Sequence, residues 1–391
     1  MRIGNICMRV STGKKQIIAV SALLADIPGG VNAYIRNLCS GLSSWTDRFD
    51  FILFTNPRSG GPIPDWPNTV PFPLWRSNPI SRIIQERLTW PRLIKRHHID
   101  LFHSPVSYIP PGVKVPAVFT VHDLRAFHFP QTYQKLRVLF LQRQIPHSIS
   151  QAQRIIAVSD YTRNDLIRLF SVPAEKIVTI HEGIDSKKYQ TPTMNRDAIL
   201  HKFQLPGRYL LAVGHLEPRK NYVRLFRALA LLRDRFRIDL PLVVCGRKNW
   251  QVDEIQKEID RLHLADQVRL FGAVDEADLI GLYQSAFIFI FPSLFEGFGF
   301  PPLESMAAGV PVVASNTTSI PEVCGDAALY FDPHDEEEMA ERIYQLIDDP
   351  QLYKLQVVKG NENIKRFSWE RCVRETVNLY HNALETAEIG A

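Results

Sequence analysis

The chain's 391 residues exceed one ordinary core and suit two domains of roughly 150–200 residues each, and its 45% hydrophobic and 22% charged content is normal for a soluble globular enzyme. No apolar run approaches the ~20 residues needed to span a bilayer, and the N-terminus shows no signal-peptide segment with a cleavage site. The net charge of +5 divides unevenly: residues 1–190 carry 24 Lys and Arg against 12 Asp and Glu, the remainder 22 against 29. The first half is therefore suited to meet something anionic, such as a membrane surface or a phosphorylated acceptor.

After a polar, basic lead, residues 16–21 read as a strand, followed by the loop Asp26-Ile27-Pro28-Gly29-Gly30 and an amphipathic helix over 31–42. Further strands are predicted at 49–54, 101–103, 117–121, 154–158 and 176–180, with helical segments between them. Within 76–98, Arg82, Arg87, Arg92, Lys95 and Arg96 lie among Ile80, Ile83, Ile84, Leu88, Trp90, Leu93 and Ile94, and Pro91 is predicted to interrupt any single helix. This stretch reads either as a basic amphipathic segment on an anionic membrane or as a surface helix packing its apolar side on the sheet. Residues 186–206 read as an irregular connection between domains. The alternation then restarts, with strands at 209–213, 241–245, 268–271, 287–291, 310–314 and 328–331. Helices are predicted at 222–232, 252–262, 279–285, 302–308 and 336–347, and two more within 351–387. The acidic run 335–338 fits a helix N-terminus favoured by the dipole. Strands alternating with helices imply an α/β architecture of two doubly wound domains facing each other. Ligands of such sheets bind at the carboxyl ends of strands, so the cleft between domains is the expected site. The five cysteines, Cys7, Cys39, Cys245, Cys324 and Cys372, are odd in number and form no CxxC pair. They read as reduced thiols in the cytosol, with no zinc site.

Residues 296–304, EGFGFPPLE, carry the most chemistry. An apolar strand feeds a loop with Gly297 and Gly299, and the loop feeds a helix. A helix N-terminus favours an anion such as phosphate. Glu296 and Glu304 around that anion site suit a ligand that also has hydroxyls, and a sugar nucleotide has both. In LLAVGHLEPRKN, residues 210–221, a strand ends at Gly214, and Arg219 and Lys220 precede the next helix. Two adjacent cations there fit a diphosphate, Arg gripping bidentately and Lys acting as a point charge. The plain alternative is a solvated helix start, but cations are disfavoured at a helix N-terminus unless an anion compensates. DIPGGVN, residues 26–32, stands where doubly wound folds place a phosphate-binding turn, though two glycines also make an ordinary loop. His122, in TVHDL after an apolar strand, suits either a sugar hydroxyl or a structural contact.

These segments together resemble retaining nucleotide-sugar glycosyltransferases of family 4, which have the GT-B fold. The resemblance covers nearly the whole chain: the glycine loop, VHD, AVSDYTRNDL, IHEGID, EPRKN, CG at Cys245-Gly246, EGFG…E and NTTSIPEV follow in the family's order. It implies an N-terminal acceptor-binding Rossmann-like domain at 1–190 and a nucleotide-sugar-binding domain at 207–368. A helix within 369–391 would cross back to the first domain. It also implies that Glu296 bonds the donor sugar, Glu304 the ribose, and backbone N–H groups near Phe298, Gly299 and Phe300 the donor. Arg219 and Lys220 would neutralise the diphosphate, and Gly30 would lie against phosphate. His122 would stand near the reacting end of the sugar, and Gly214, Gly246 and Gly297 would line the donor site.

Cleaving a sugar–phosphate bond leaves charge on the nucleoside diphosphate, which fixed cations and N–H groups stabilise. The chain has no D-x-D, so no metal or other cofactor is expected, with Arg219 and Lys220 supplying the positive charge. Glu296→Ala should then abolish transfer and leave the fold intact. The wording of EPRKN, EGFGFPPLE and NTTSIPEV is similar to that of bacterial GDP-mannose-dependent mannosyltransferases of surface-polysaccharide assembly. That similarity implies a mannose donor and a glycan or lipid-linked acceptor. The reduced cysteines and absent signal point to a cytoplasmic enzyme, the basic stretch at 82–96 permits peripheral contact at the inner membrane face, and no nucleic acid partner is expected. A UDP-hexose donor and a non-hydrolysing sugar-nucleotide epimerase are the runners-up. A dinucleotide dehydrogenase would need a GxGxxG turn that the chain lacks, and an exported sugar-binding protein would carry a signal.

Overall fold

The computed structural model describes residues 15–25, 29–56, 66, 68–73, 79–192, 194–247 and 252–389. Asp26, Ile27 and Pro28 of the glycine loop, Arg76 and Cys7 lie outside them, as do the side chains of Ile80 and Arg82. A seven-stranded sheet is formed by β1 (Ile17–Ser21), β2 (Asp50–Thr55), β3 (Thr69–Pro71), β4 (Leu101–Ser104), β5 (Ala117–Val121), β6 (Arg154–Ala157) and β7 (Ile177–Thr179). Its order is β3-β2-β1-β4-β5-β6-β7, and β1 pairs in parallel with both β2 and β4. A six-stranded parallel sheet follows, formed by β8 (Leu210–Val213), β9 (Leu242–Cys245), β10 (Val268–Gly272), β11 (Ile288–Phe291), β12 (Val312–Ser315) and β13 (Ala328–Phe331). Its order is β10-β9-β8-β11-β12-β13. The chain divides into two compact units. One takes the described residues up to Pro105, Pro110–Val118 and Tyr380 onward; the other takes Val106–Ile109 and Phe119–Leu379.

The second sheet shows why its strands read as continuous apolar runs. In β11, Phe289 and Phe291 belong to one core, while Ile288 and Ile290 belong to the other. The same alternation splits Leu211 from Leu210 and Ala212 in β8, and Val243 and Cys245 from Leu242 and Val244 in β9. Side chains of a strand point alternately to the two faces, so a sheet covered by helices on both sides needs apolar residues at every position. Burial also sets the thiol chemistry: Cys39, Cys245 and Cys324 are free and buried, which pushes each up to about 12.

Three expectations change. Pro91 does not interrupt the helix Pro79–Arg96, which runs through it. An internal proline removes one helical hydrogen bond and costs about 3 kcal/mol. Against that cost, Trp90 is fully buried, with its ring 5.0, 4.7 and 4.8 Å from Phe54, Phe72 and Phe102. Trp90 is therefore a core residue and is not available to a membrane, whereas Ile84 and Leu88 on the same helix are each 56% exposed. The connection read as irregular contains the helices Ser186–Gln190 and Arg196–Lys202, capped by the side chains of Asp185 and Asn195. Its polarity hid the anchor, Ile199, which is fully buried. The short strand β3 was not expected, because its three residues are half-exposed or exposed and carry no apolar signal.

Candidate active site

In the second sheet the strand order reverses between β8 and β11, which lie side by side. Ligand crevices of open α/β sheets form where neighbouring strands send their connections to opposite sides, outside the carboxyl ends. The segment after β8 carries Arg219 and Lys220, and the segment after β11 carries Glu296. Adjacency of the two strands brings them together although 76 positions separate Lys220 from Glu296. Lys220 Nζ lies 2.6 Å from Glu296 Oε1, and an Arg219 terminal nitrogen lies 2.8 Å from Glu296 Oε2. Lys220 also sits over the Phe291 ring at 4.9 Å. Arg219 donates to the Phe295 carbonyl at 3.0 Å and pairs with Glu217 Oε1 at 2.6 Å. The compensating anions for the two cations are thus Glu296 and Glu217.

The electrostatics follow from burial. Desolvation alone would raise the Glu296 carboxyl, but the charges of Arg219 and Lys220 outweigh it and hold the group at about 2. Burial pulls the Lys220 ammonium below its ordinary range, partly opposed by Glu296. Both Glu296 oxygens already accept from cations, and each keeps a further lone pair for a hydroxyl donor. Because Glu296 pairs with two buried cations, its removal to alanine is expected to cost stability as well as transfer.

Glu304 sits in the helix Phe300–Ala307, whose N-cap is Gly299. Its two oxygens each accept a tyrosine hydroxyl at 2.8 Å, one from Tyr189 and one from Tyr283. Burial raises its carboxyl above the usual range, and the two hydroxyl bonds oppose that rise. Phe298 packs its ring on Phe300 and Phe367, at 5.3 and 5.7 Å, and Phe300 stacks on Trp369. The Phe298 and Phe367 side chains are buried, so Phe298 can offer a ligand little beyond backbone, whereas Phe300 is half-buried.

His122 follows β5, and its Nδ1 lies 2.9 Å from Glu182 Oε1, a carboxylate only 2% exposed. Its carbonyl explains Gly297: a Cβ at that glycine would lie 1.7 Å from the His122 oxygen. Gly246 is fixed in the same way, since a Cβ there would lie 1.9 Å from the carbonyl oxygen of Gly214. Gly30 begins the helix Gly30–Leu42 in the other unit, with Gly29 as N-cap and no side chain capping the first turn.

The remaining motifs hold the 296–299 loop. Ser159 Oγ donates to the Gly297 carbonyl at 2.6 Å, and Ser319 Oγ lies 3.0 and 2.8 Å from the carbonyls of Glu296 and Phe298. Glu322 accepts the backbone N–H groups of Asp160 and Tyr161, at 2.8 and 3.1 Å, and lies 2.6 Å from His181 Nε2. One carboxylate thus ties AVSDYTRNDL, IHEGID and NTTSIPEV together. Arg125, Glu217, Glu182, Tyr189 and Tyr283 were not read as site residues from sequence. Glu217 and Glu182 lie inside EPRKN and IHEGID, and Arg125 stands two positions after VHD, but nothing in the sequence marks the tyrosines as partners of Glu304. Among the described residues, no group of three or more His, Cys, Asp or Glu side chains could hold a metal ion, and no helix is long and apolar enough to cross a membrane.

Residues 197–363 match the model of glycosyl transferases group 1, and residues 28–188 that of Glycosyltransferase Family 4. The chain is 37% identical over 281 residues to O-antigen chain mannosyltransferase B of Escherichia coli, covering 72% of this chain and 74% of that one. This chain belongs to the family 4 glycosyltransferases. The glycosyltransferase is also 28% identical over 252 residues to O-antigen chain mannosyltransferase RfbU of Salmonella typhimurium, across 64% of this chain and 65% of that one. Sucrose-phosphate synthase from Thermosynechococcus elongatus superimposes with a TM-score of 0.75 at 20% identity, over 95% of this chain and all of that one. The fold of the glycosyltransferase is α/β, of the GT-B type.

Proposed function

We propose that this glycosyltransferase is a retaining, metal-independent hexosyltransferase that moves mannose from GDP-mannose to a glycan or lipid-linked acceptor in surface-polysaccharide assembly. The observation that carries the reading is the 37% identity to an O-antigen chain mannosyltransferase, and the cation pair beside Glu296 at the β8–β11 reversal supports it. In the proposed reaction the bond from the sugar's C1 to the diphosphate oxygen breaks and a bond from C1 to the acceptor oxygen forms on the same face. The acceptor's proton passes to a phosphate oxygen of the leaving group. Arg219 and Lys220 stabilise the charge that develops on that group, and backbone N–H groups of 298–300 lie at a helix start suited to phosphate. Glu296 orients sugar hydroxyls through its remaining lone pairs, Glu304 takes the ribose, and His122 stands at the reacting end of the sugar. Gly214 and Gly299 let backbone approach the donor, while Gly246 and Gly297 make room for the carbonyls of Gly214 and His122.

Incubation with GDP-mannose, UDP-glucose and UDP-galactose, with and without lipid-linked acceptors, tests this. Mannose transfer with retained configuration, undiminished by EDTA, is expected. Transfer from a UDP-hexose alone would replace the donor assignment with the runner-up, and an epimerised donor formed without acceptor would sink the transferase reading.

We also propose peripheral contact with the cytoplasmic face of the inner membrane through the helix Pro79–Arg96. Ile84 and Leu88 are exposed beside the exposed Arg87, Arg92, Lys95 and Arg96, a composition suited to anionic lipid. Ile84→Ser/Leu88→Ser is expected to lower co-sedimentation with anionic vesicles, and binding indifferent to anionic lipid content overturns the contact.

A further inference from the structure

Arg125 has no role in the readings above, yet it reaches the same charge cluster from the first sheet's side of this unit. It opens the short helix Arg125–His128 after β5. Its guanidinium lies over the Tyr133 ring, 4.2 Å from the centroid, and donates to the Tyr133 hydroxyl. From there one terminal nitrogen points at Glu217, 3.3 Å from Oε1 and 3.4 Å from Oε2. Arg219 holds that same Oε1 at 2.6 Å. Two guanidinium groups therefore converge on one carboxylate oxygen. Asp123 also adds negative charge, with its Oδ1 accepting the Arg125 backbone N–H at 3.0 Å.

The two contacts to Glu217 differ. Charge-assisted N–H···O bonds run about 2.7–2.9 Å, which Arg219 achieves and Arg125 does not. Arg125 is thus fixed by its tyrosine, not by Glu217, and is held beside a like charge. The Nε–H groups of both Arg125 and Arg219 are buried and find no hydrogen-bond acceptor among the described residues. An unsatisfied buried donor is costly, and two in adjacent arginines leave capacity for a further acceptor. An anion with several oxygens supplies what both side chains lack, because phosphate geometry matches the guanidinium fork.

We propose that Arg125 is a third phosphate-binding residue, which joins Arg219 and Lys220 on the diphosphate of the nucleotide. This rests on the donor-site reading above and deepens it. Arg125 then couples the segment carrying His122 to the anion held after β8, both within the second unit.

Calorimetric titration of the whole protein with GDP and UDP, each beside its nucleoside, tests the assignment. Arg125→Ala is expected to weaken binding of the preferred nucleoside diphosphate roughly tenfold or more while leaving any binding of the nucleoside unchanged. Arg125→Lys keeps the charge but not the fork and is expected to fall between, which covers the case in which the alanine variant folds poorly. Repeating the pair in a Glu217→Gln background separates ligand binding from simple balancing of Glu217. The loss should persist if Arg125 holds phosphate and should vanish if it only neutralises that carboxylate. Equal diphosphate affinity for the unsubstituted protein and Arg125→Ala, or loss of the effect with Glu217→Gln, overturns the role of Arg125 and leaves the transferase reading standing. Failure of the unsubstituted protein to bind either diphosphate overturns both.

Discussion

Glu296→Gln is expected to cut glycosyl transfer by about 10²–10³-fold and to destabilise the protein by about 3–5 kcal/mol. The two losses share one cause. The carboxylate accepts Lys220 on one oxygen and Arg219 on the other, and the neutral amide can answer neither charge. Arg219 keeps Glu217, but Lys220 loses its paired carboxylate, and a buried cation without its counter-charge costs far more than a surface pair would. Alanine should do worse than glutamine because it also removes volume. The pH dependence follows from the depressed carboxyl, held at about 2 against roughly 4.3 in the unfolded chain. The folded state prefers the ionised form, so this stabilisation is complete above about pH 4.5 and is lost as pH falls through the folded value. Urea unfolding at pH 6 and pH 3 should show that loss in the unsubstituted protein and a smaller one in the glutamine variant. Near-normal turnover by Glu296→Gln would remove this carboxylate from the site.

Gly297→Ala is expected to destabilise the second unit by about 3 kcal/mol or more. Its new methyl group would meet the His122 carbonyl at 1.7 Å and the Asp123 side chain at 2.9 Å. Neither can retreat freely, since one is backbone at the end of a buried strand. The loop must therefore move away from His122, and Glu296 moves with it. Nucleoside diphosphate affinity should fall along with the melting temperature. Gly207→Ala is the control: nothing lies within 4 Å of a Cβ there, and its melting temperature should stay close to that of the unsubstituted protein. If the two variants melt alike, the close approach at Gly297 does not govern the loop.

The two substitutions also mark what could be read from the chain alone. The strand before EGFG, the helix after it and the two cations after 214 were legible, because apolar runs, glycines and adjacent charges are local patterns. That Lys220 and Glu296 touch was not, because it depends on β8 lying next to β11, and strand order leaves no mark on either segment. The same holds for Arg125, whose meaning comes from Glu217 92 positions away. Pro91 misled for a different reason: the local rule is sound, but the aromatic packing of Trp90 outweighs it. At 185–206 the capping residues Asp185 and Asn195 were present as signals and were masked by the polarity around them. The resemblance to family 4 reached further than these local patterns, since it placed the motifs in order, but it gave Glu182, Glu217 and Glu322 no individual work.

The helix Trp369–Ile389 is shared between the units: its residues up to Leu379 belong with the second, and from Tyr380 onward with the first. Tyr380 is fully buried, its hydroxyl 2.6 Å from His103 Nδ1 and its ring 6.5 Å from that of Phe51. The first unit is thus discontinuous along the chain. During synthesis, where domains ordinarily fold in the order they emerge, its interior has to wait for a tyrosine made after the entire second sheet. A ribosome stalled anywhere before codon 380 leaves the earlier-made unit as the unfinished one.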